Sequence, residues 1–188
     1  YQDVQIQVSG SDCAGNEAET ETLENAFHID NTAPVVSNIS DGGVTCANNG
    51  DVVTITFDWT EQNLGSNPIV KIYTSDGGTE IGTAVYDSRE GSAPNYSYTY
   101  KYTVGSGNYQ DVQIQVSGSD CAGNEAETET LENAFHIDNT APVVSNISDG
   151  GVTCANNGDV VTITFDWTEQ NLGSNPTVGI YQSDGTTF

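Results

Sequence analysis

The sequence has 188 residues, of which 27 are acidic and 3 are basic, and its formal net charge is −24. This charge excludes nucleic acid and anionic membrane surfaces as partners, because both are bound through clustered lysine and arginine. No apolar run approaches the ~18 residues that cross a bilayer, and no signal peptide or sorting sequence is visible.

The four cysteines include no Cys-x-x-Cys pair. Cysteines without that zinc-type spacing favour structural disulfides in an oxidising compartment. We therefore expect an extracellular or cell-surface location.

An internal repeat dominates the sequence. Residues 1–68 recur without change at 109–176, which gives a period of 108 residues, about one β-sandwich domain. Both chain ends fall within strand-like sequence, so we expect a window cut from a longer array. With domain edges at Asn-Thr-Ala-Pro, the end of one repeat lies at 1–31, a complete repeat at 32–139 and the start of a third at 140–188.

Within the complete repeat, apolar and polar residues alternate with a period of two, as in strands with one buried face. The alternation is clearest from Val53 to Trp59 and from Tyr96 to Tyr102. Turn sequences rich in glycine and asparagine separate the runs. Seven strands are predicted, at 33–40, 51–60, 69–74, 81–87, 95–104, 109–118 and 130–137.

Residues 1–31 repeat the last two of these predicted strands, and residues 140–188 repeat the first three. No segment has a helical period. The predicted fold class is therefore all-β, with tandem immunoglobulin-like β-sandwiches of about seven strands per 108-residue repeat.

Three segments carry a family resemblance: Ile-Asp-Asn-Thr-Ala-Pro at 137–142, Asn-Gly-Asp-Val-Val-Thr-Ile-Thr-Phe at 49–57 and Gly-Ser-Asp-Cys-Ala-Gly-Asn at 118–124. They resemble the bacterial immunoglobulin-like repeats of giant surface adhesins. The resemblance implies an extender or filament module, and many such repeats bind calcium where they join. Cys121 departs from the pattern, because typical members have alanine there and most have no cysteine.

Acidic and amide side chains gather at the predicted end where the chain enters the complete repeat. Converging carboxylates repel one another, and Ca²⁺, which accepts about six to eight oxygen ligands, removes that repulsion. We therefore predict a calcium site at this seam, the alternative being acids that only face water and keep the chain soluble. The candidate ligands are Asp30 and Asn31 in the linker, Glu61 and Asn63 after the second strand, and Asp120 and Asn124 after the sixth.

The same residue types recur at the neighbouring seams. Asp12 and Asn16 lie in the first partial repeat, and Asp138, Asn139 and Glu169 surround the second Asn-Thr-Ala-Pro connection. We expect these residues to be equivalent calcium ligands.

The cysteines fall at opposite ends of the predicted sandwich. Cys46 and Cys121 are about one strand length, ~30 Å, apart, whereas a disulfide needs Cα atoms within ~7 Å. We expect both, and their copies Cys154 and Cys13, to bond to cysteines of neighbouring repeats in the same or an adjacent chain. Two alternatives stay open: four unpaired thiols, and a Cys46–Cys121 bond within one repeat.

Nothing in the sequence points to catalysis. His28 and His136 occupy the same position in successive repeats, on the predicted outer face of the last strand. No Ser-His-Asp set and no zinc-binding set is recognisable. Asn38, Asn95 and Asn146 stand in Asn-x-Ser sequons, which accept surface glycans in secreted proteins of suitable hosts.

These features favour a non-catalytic extracellular structural module. We expect a tandem rod that acts as the stalk of an adhesin or the shaft of a filament, stiffened by calcium at the seams and by disulfides between repeats. The alternative is a ligand-binding adhesin module that recognises a glycan or a protein receptor.

The expected partners are neighbouring copies of the same repeat, arranged head to tail. One route is strand complementation, in which residues 1–31 of one copy complete residues 140–188 of another. A cut through a longer array is the simpler explanation of the two partial repeats.

Overall fold

The computed structural model describes residues 2–183, which form an all-β structure with fourteen strands. Residues 1 and 184–188 of the predicted outer repeats lie outside this range. Across the described residues there is no helix of the length and apolarity needed to span a membrane. The chain divides into two compact units, Tyr1–Asn139 and Thr140–Phe188.

The first unit begins with an antiparallel hairpin. Strand β1 (Gln2–Val8) pairs with β2 (Glu21–Ile29), and the register is interrupted between Val4 and Ile6. The hairpin presents several apolar side chains to solvent, among them Ile6 and Leu23.

Ten further strands lie between Val35 and Ile137 in the first unit. Two four-stranded sheets have the orders β3-β5-β9-β8 and β11-β10-β6-β7, and β4 and β12 form a short parallel pair. The strands are β3 (Val35–Ser40), β4 (Cys46–Ala47), β5 (Val52–Thr60), β6 (Ile69–Tyr73), β7 (Glu80–Thr83), β8 (Val85–Ser92), β9 (Asn95–Thr103), β10 (Gln113–Ser117), β11 (Glu129–Leu131) and β12 (His136–Ile137).

One hydrophobic core joins the two four-stranded sheets. From one sheet, Trp59 of β5 and Tyr98 of β9 are buried, and Tyr98 stacks on Phe57 with ring centroids 5.4 Å apart. From the other sheet, β6 and β10 contribute Ile72 and Ile114. Each such side chain stabilises the fold by about 1.5–3 kcal/mol through its removal from water. The predicted inward face of the tyrosine-rich strand is therefore confirmed.

The predicted strand at 81–87 is two strands in different sheets. β7 ends at Thr83, Ala84 donates its amide hydrogen to Val70 O over 2.9 Å, and β8 then crosses to pair with β9. Every residue of β8 is exposed. An edge strand without a buried face has no apolar alternation, and for this reason the sequence did not reveal it.

The last predicted strand, 130–137, is also interrupted. Asn133 has a φ of 50°, which breaks the strand between β11 and β12. β12 then pairs in parallel with β4, so Cys46 lies in a short strand opposite His136 rather than in a loop. The predicted strand at 109–118 is shortened for the same kind of reason, because Asp111 has a φ of 53° and β10 begins only at Gln113.

The second unit contains one antiparallel pair among its described residues. Strand β13 (Val143–Ser148) pairs with β14 (Thr164–Thr168) in the register that β3 and β5 have in the first unit. The third predicted strand of this repeat, equivalent to 69–74, is not formed as a strand within residues 177–182. Its pairing partner in the complete repeat is β10.

Candidate metal centre

Three carboxylates from distant parts of the chain converge in the first unit. Asp30 follows β2, Glu61 follows β5, and Asp120 lies beyond the end of β10. One oxygen from each lies within 4.8 Å of the other two. All three residues are buried, with 7%, 4% and 4% of their surfaces exposed. We call Asp30, Glu61 and Asp120 the acidic triad.

Two loops meet here because β5 and β10 end on the same side of the core. The loop after β5 contacts the loop after β10 through an isolated bridge between Leu64 and Asp120 and through Cys121 N, which donates to Asn63 O over 3.0 Å. Gly65 permits the close approach, since a Cβ at this position would lie 2.5 Å from Asp120 O.

Amide groups fix the orientation of Asp30. Asn63 Nδ2 donates to Asp30 Oδ2 over 2.7 Å, and Thr32 N donates to Oδ1 over 3.0 Å. These two hydrogen bonds, that from Asn63 first, hold the pKa of Asp30 below its usual value of 3.8 because they favour the ionised form. Asp30 therefore presents an anionic ligand at neutral pH.

The other two carboxylates are oriented in a similar way. Asp120 Oδ1 accepts from Ala122 N and Asn124 N over 2.8 and 2.9 Å, and Oδ2 accepts from Asn124 Nδ2 over 2.7 Å. Glu61 Oε1 accepts from Asn63 N over 2.7 Å. An ionised carboxylate has about four lone-pair sites, so acceptor capacity remains for a cation.

The first partial repeat is attached to the complete repeat at this place. Besides orienting Asp120, Asn124 Nδ2 donates to the main-chain oxygen of Asp30 over 3.0 Å. Together with the Asn63 contact, this bond holds the linker residue between the two loops. The acidic triad therefore lies where the segment after β2 contacts the loops after β5 and β10, within the first unit.

Among the described residues, each lysine and arginine has a contact with a residue outside the triad. The chain has only three lysine and arginine residues. Lys71 Nζ lies 2.6 Å from Glu80, Lys101 Nζ lies 2.7 Å from Asp87, and the Arg89 guanidinium lies 5.1 Å above the ring of Tyr96. Three buried carboxylates without a cationic side chain provide the hard oxygen ligands that calcium prefers, whereas zinc prefers histidine and cysteine.

The remaining predicted ligands of the first repeat lie elsewhere. Asn31 is exposed. Asp12 and Asn16 form the same local loop as Asp120 and Asn124, with Asn16 Nδ2 donating to Asp12 Oδ2 over 2.7 Å, but both residues are exposed. Hydrogen bonds from Asn16, and then from the Ala14 amide, lower the pKa of Asp12.

The predicted ligands of the second seam are distributed over both units. Asn139 contacts the loops at the far end of the first unit, where it accepts from Asn49 N over 2.6 Å and donates to Gly105 O over 3.2 Å. Asp138 N donates to Ala47 O over 3.0 Å. Glu169, in the second unit, accepts from Asn171 N over 3.0 Å.

The four cysteines are all exposed, and within residues 2–183 no disulfide joins any two of them. Cys46 and Cys154 are equivalent by the repeat, as are Cys121 and Cys13. Bonding to neighbouring repeats stays a prediction.

The three sequon asparagines are exposed. Asn38 and Asn146 have φ values of 54° and 53° and donate their side-chain amides to Asp58 and Asp166. Asn95 is the first residue of β9.

Two features of the site were missed from the sequence. Gly65 is required for the loop contact, and the backbone amide of Thr32 binds Asp30. The glycine in Asn-Leu-Gly-Ser-Asn-Pro at 63–68 suggests a close backbone contact. The sequence alone does not show that the contact is with Asp120.

A comparison with models of protein families found no match, and searches of curated proteins and of solved structures found none either.

Proposed function

We propose that this protein is a non-catalytic, extracellular structural module: a rod of tandem repeats that serves as an adhesin stalk or filament shaft. The observation that carries the proposal is the acidic triad at the join between residues 1–31 and 32–139. A join that buries three carboxylates and the hydrogen-bonded linker is suited to fixing one repeat against the next.

The fold that we propose for each repeat is an immunoglobulin-type sandwich. The sheet orders β3-β5-β9-β8 and β11-β10-β6-β7, with a parallel contact between an early short strand and the last strand, support it. Chain entry and exit at opposite ends of such a sandwich favour end-to-end stacking, in which length increases with the number of repeats.

Calcium at the triad is the proposed stiffening element. Asp30, Glu61 and Asp120 would be its carboxylate ligands, and main-chain carbonyl oxygens of the two loops are available as further ligands of the kind calcium accepts. Bound calcium neutralises the mutual repulsion of the carboxylates. Disulfides between cysteines of neighbouring repeats are proposed as a second, covalent restraint.

Thermal unfolding with and without calcium tests the proposal on the 188-residue protein. A ligand that binds only the folded state stabilises it by about 2.7 kcal/mol at a hundredfold excess over its Kd, so calcium should raise the Tm of the first unit by several degrees. Glu61→Gln and Asp120→Asn should each abolish most of that increase.

Glu125→Gln is the matched control. Glu125 is an exposed carboxylate five residues from Asp120 and is not part of the triad. The control should keep the full calcium response. An equal Tm increase in wild type, Glu61→Gln and Asp120→Asn would reject the triad as the calcium site, and a saturable glycan or receptor ligand would favour the adhesive module instead.

A further inference from the structure

The side-chain amide of Asn63 donates a hydrogen bond into the acidic triad. Its Nδ2 lies 2.7 Å from Asp30 Oδ2. Asp30 is buried, and one of its carboxylate oxygens lies within 4.8 Å of an oxygen of each of the other two triad residues. A hydrogen bond to an ionised carboxylate is charge-assisted and stabilises the negative charge. The Asn63 amide therefore does part of what a bound cation does among converging carboxylates.

The main chain of Asn63 is held on both sides. Its N–H donates to Glu61 Oε1 over 2.7 Å, and its carbonyl oxygen accepts from Cys121 N over 3.0 Å. These bonds connect the residue to a triad carboxylate and to the loop after β10. The side-chain amide can therefore turn while the residue stays beside the triad.

The two ends of the Asn63 amide have opposite hydrogen-bonding character. The nitrogen has two donors, and the oxygen has two lone pairs. Among the described residues, none donates a hydrogen bond to Asn63 Oδ1. The torsion that exchanges the two ends joins an sp³ and an sp² carbon, and such torsions are broad and roughly two-fold. A half turn therefore brings an oxygen ligand of the kind that calcium accepts to the place of the donor.

Asn124 is the second amide at the triad, and its hydrogen bonds distinguish it from Asn63. Asn124 Nδ2 donates to Asp120 Oδ2 over 2.7 Å and to the main-chain oxygen of Asp30 over 3.0 Å. Both donors of this amide are in use, so a half turn would break two bonds. Asn63 Nδ2 has one such bond among the described residues. Asn63 is therefore the amide that turns at lower cost.

We propose that Asn63 changes its role when calcium binds the triad. Without calcium, Nδ2 donates to Asp30 Oδ2. With calcium, the amide turns and Oδ1 joins the three carboxylates as a ligand, while Asn124 keeps its orientation in both states. The sequence predicts Asn63 and Asn124 as equal ligands, and the structure separates them into a switching residue and a fixed one. This proposal rests on the proposed calcium site and adds a residue that responds to the ion.

The change of role gives the site two closed states. In the ion-free state, Asn63 Nδ2 and Thr32 N bind the Asp30 carboxylate. In the calcium-bound state, the ion holds the carboxylate in place of the Asn63 donor. Calcium therefore changes which group holds Asp30, and the segment after β2 remains attached to the two loops in both states.

NMR of side-chain amide groups in the ¹⁵N-labelled 188-residue protein tests the change of role. In EGTA, the NH₂ protons of Asn63 and Asn124 should both exchange slowly with water, because both groups are hydrogen-bonded and half-buried. At saturating calcium, exchange at Asn63 should become about tenfold faster as its hydrogen bond is lost. Exchange at Asn124 should not change.

Asn63→Asp tests the role of Asn63 as a ligand. In EGTA, the variant lacks the N–H donor and adds a fourth carboxylate, so its Tm should fall below that of wild type. Its calcium Kd should be about tenfold lower, because calcium affinity increases with the charge of the ligands. Asn124→Asp is the matched control. It adds the same charge but removes the bonds that orient Asp120 and hold Asp30, so its calcium Kd should be higher than that of wild type.

The outcomes separate this proposal from the calcium site. Faster exchange at Asn63 alone, together with tighter calcium binding by Asn63→Asp, supports both. Suppose that calcium raises the Tm of wild type while the Asn63 protons stay protected, or that Asn124→Asp gains as much affinity as Asn63→Asp. The change of role is then overturned and the calcium site stands. If calcium changes neither the Tm nor the amide signals of Asn63 and Asn124, both are rejected.

Discussion

The side-chain amide of Asn124 donates a hydrogen bond to the main-chain oxygen of Asp30, although 94 residues separate the two positions. The same amide also donates to Asp120 Oδ2 over 2.7 Å. One side chain thus connects the segment after β2 to the loop after β10 and orients a carboxylate of the acidic triad.

Asn124→Ala should loosen this join. Without the side chain, Asp30 O loses a donor, and of the two loop side chains described as bonding Asp30 only Asn63 remains. Hydrogen exchange of the Thr32 amide, which donates to Asp30 Oδ1, should therefore accelerate. Asn16→Ala is the matched control, because Asn16 is the same residue in the first partial repeat and its side chain donates to Asp12 of its own loop. Unchanged exchange at Thr32 in Asn124→Ala would show that the linker does not depend on this bond.

Removing the Asn63 side chain should raise the pKa of Asp30. Because hydrogen bonds lower the pKa of Asp30 in the folded state, its ionisation stabilises the fold at pH values above the unfolded pKa of about 3.9. That contribution is lost as the pH falls through the folded pKa. An NMR titration of the Asp30 carboxyl carbon should give a midpoint below 3.8 in wild type and a higher one in Asn63→Ala.

Asp76 is the internal reference for that titration, because its pKa is lowered chiefly by a hydrogen bond from Thr74 and has no contribution from Asn63. Its midpoint should be the same in wild type and Asn63→Ala. A parallel shift of Asp30 and Asp76 would indicate a general change in the protein rather than loss of one hydrogen bond.

Gly65→Ala should disturb the candidate metal site, although Gly65 is not one of the candidate ligands. The new Cβ would lie 2.5 Å from Asp120 O and 2.7 Å from Ser119 O, and overpacking against backbone typically costs about 1–3 kcal/mol. Both the free energy of unfolding and the calcium response should decrease. Gly173→Ala is the same substitution in the second unit, where a Cβ has no neighbour within 4 Å, and it should leave both quantities unchanged.

Much of the fold follows from the alternation of apolar residues. It identified β5, β6 and β9 and the inward face of the tyrosines, because each of these strands has one buried and one solvent-facing side. It could not identify β8, which has no buried face, or the parallel pair β4 and β12, which has only two residues in each strand. Such short pairs depend on tertiary contacts and have no periodicity of their own.

The grouping of Asp30, Glu61 and Asp120 could be expected from the position of their loops, since consecutive strands end alternately at the two ends of a sandwich. The sequence could not reveal the hydrogen bonds of Asn63 and Asn124 or the backbone contact at Gly65. Those details depend on how two irregular loops pack. The repeat also suggested equal roles for Asn31 and Asn139, yet Asn31 is exposed while Asn139 binds the loops at the far end of its own repeat.

Alanine substitutions at two equivalent isoleucines compare how the same sequence is packed in its two copies. Ile114→Ala removes a fully buried side chain and should lower the free energy of unfolding by about 2–5 kcal/mol. Ile6→Ala, at the equivalent exposed position, should cost much less in dilute protein. Chemical denaturation followed by fluorescence measures both, and equal losses would mean that β1 is as well packed as β10.

The central claim is that the acidic triad at the join binds calcium, and anomalous diffraction from crystals grown with calcium tests it most directly. The account predicts an anomalous peak with carboxylate oxygens of Asp30, Glu61 and Asp120 at the usual Ca²⁺–oxygen distances of about 2.3–2.6 Å. If the three carboxylates are well ordered and no anomalous peak lies between them at a saturating calcium concentration, the claim is contradicted.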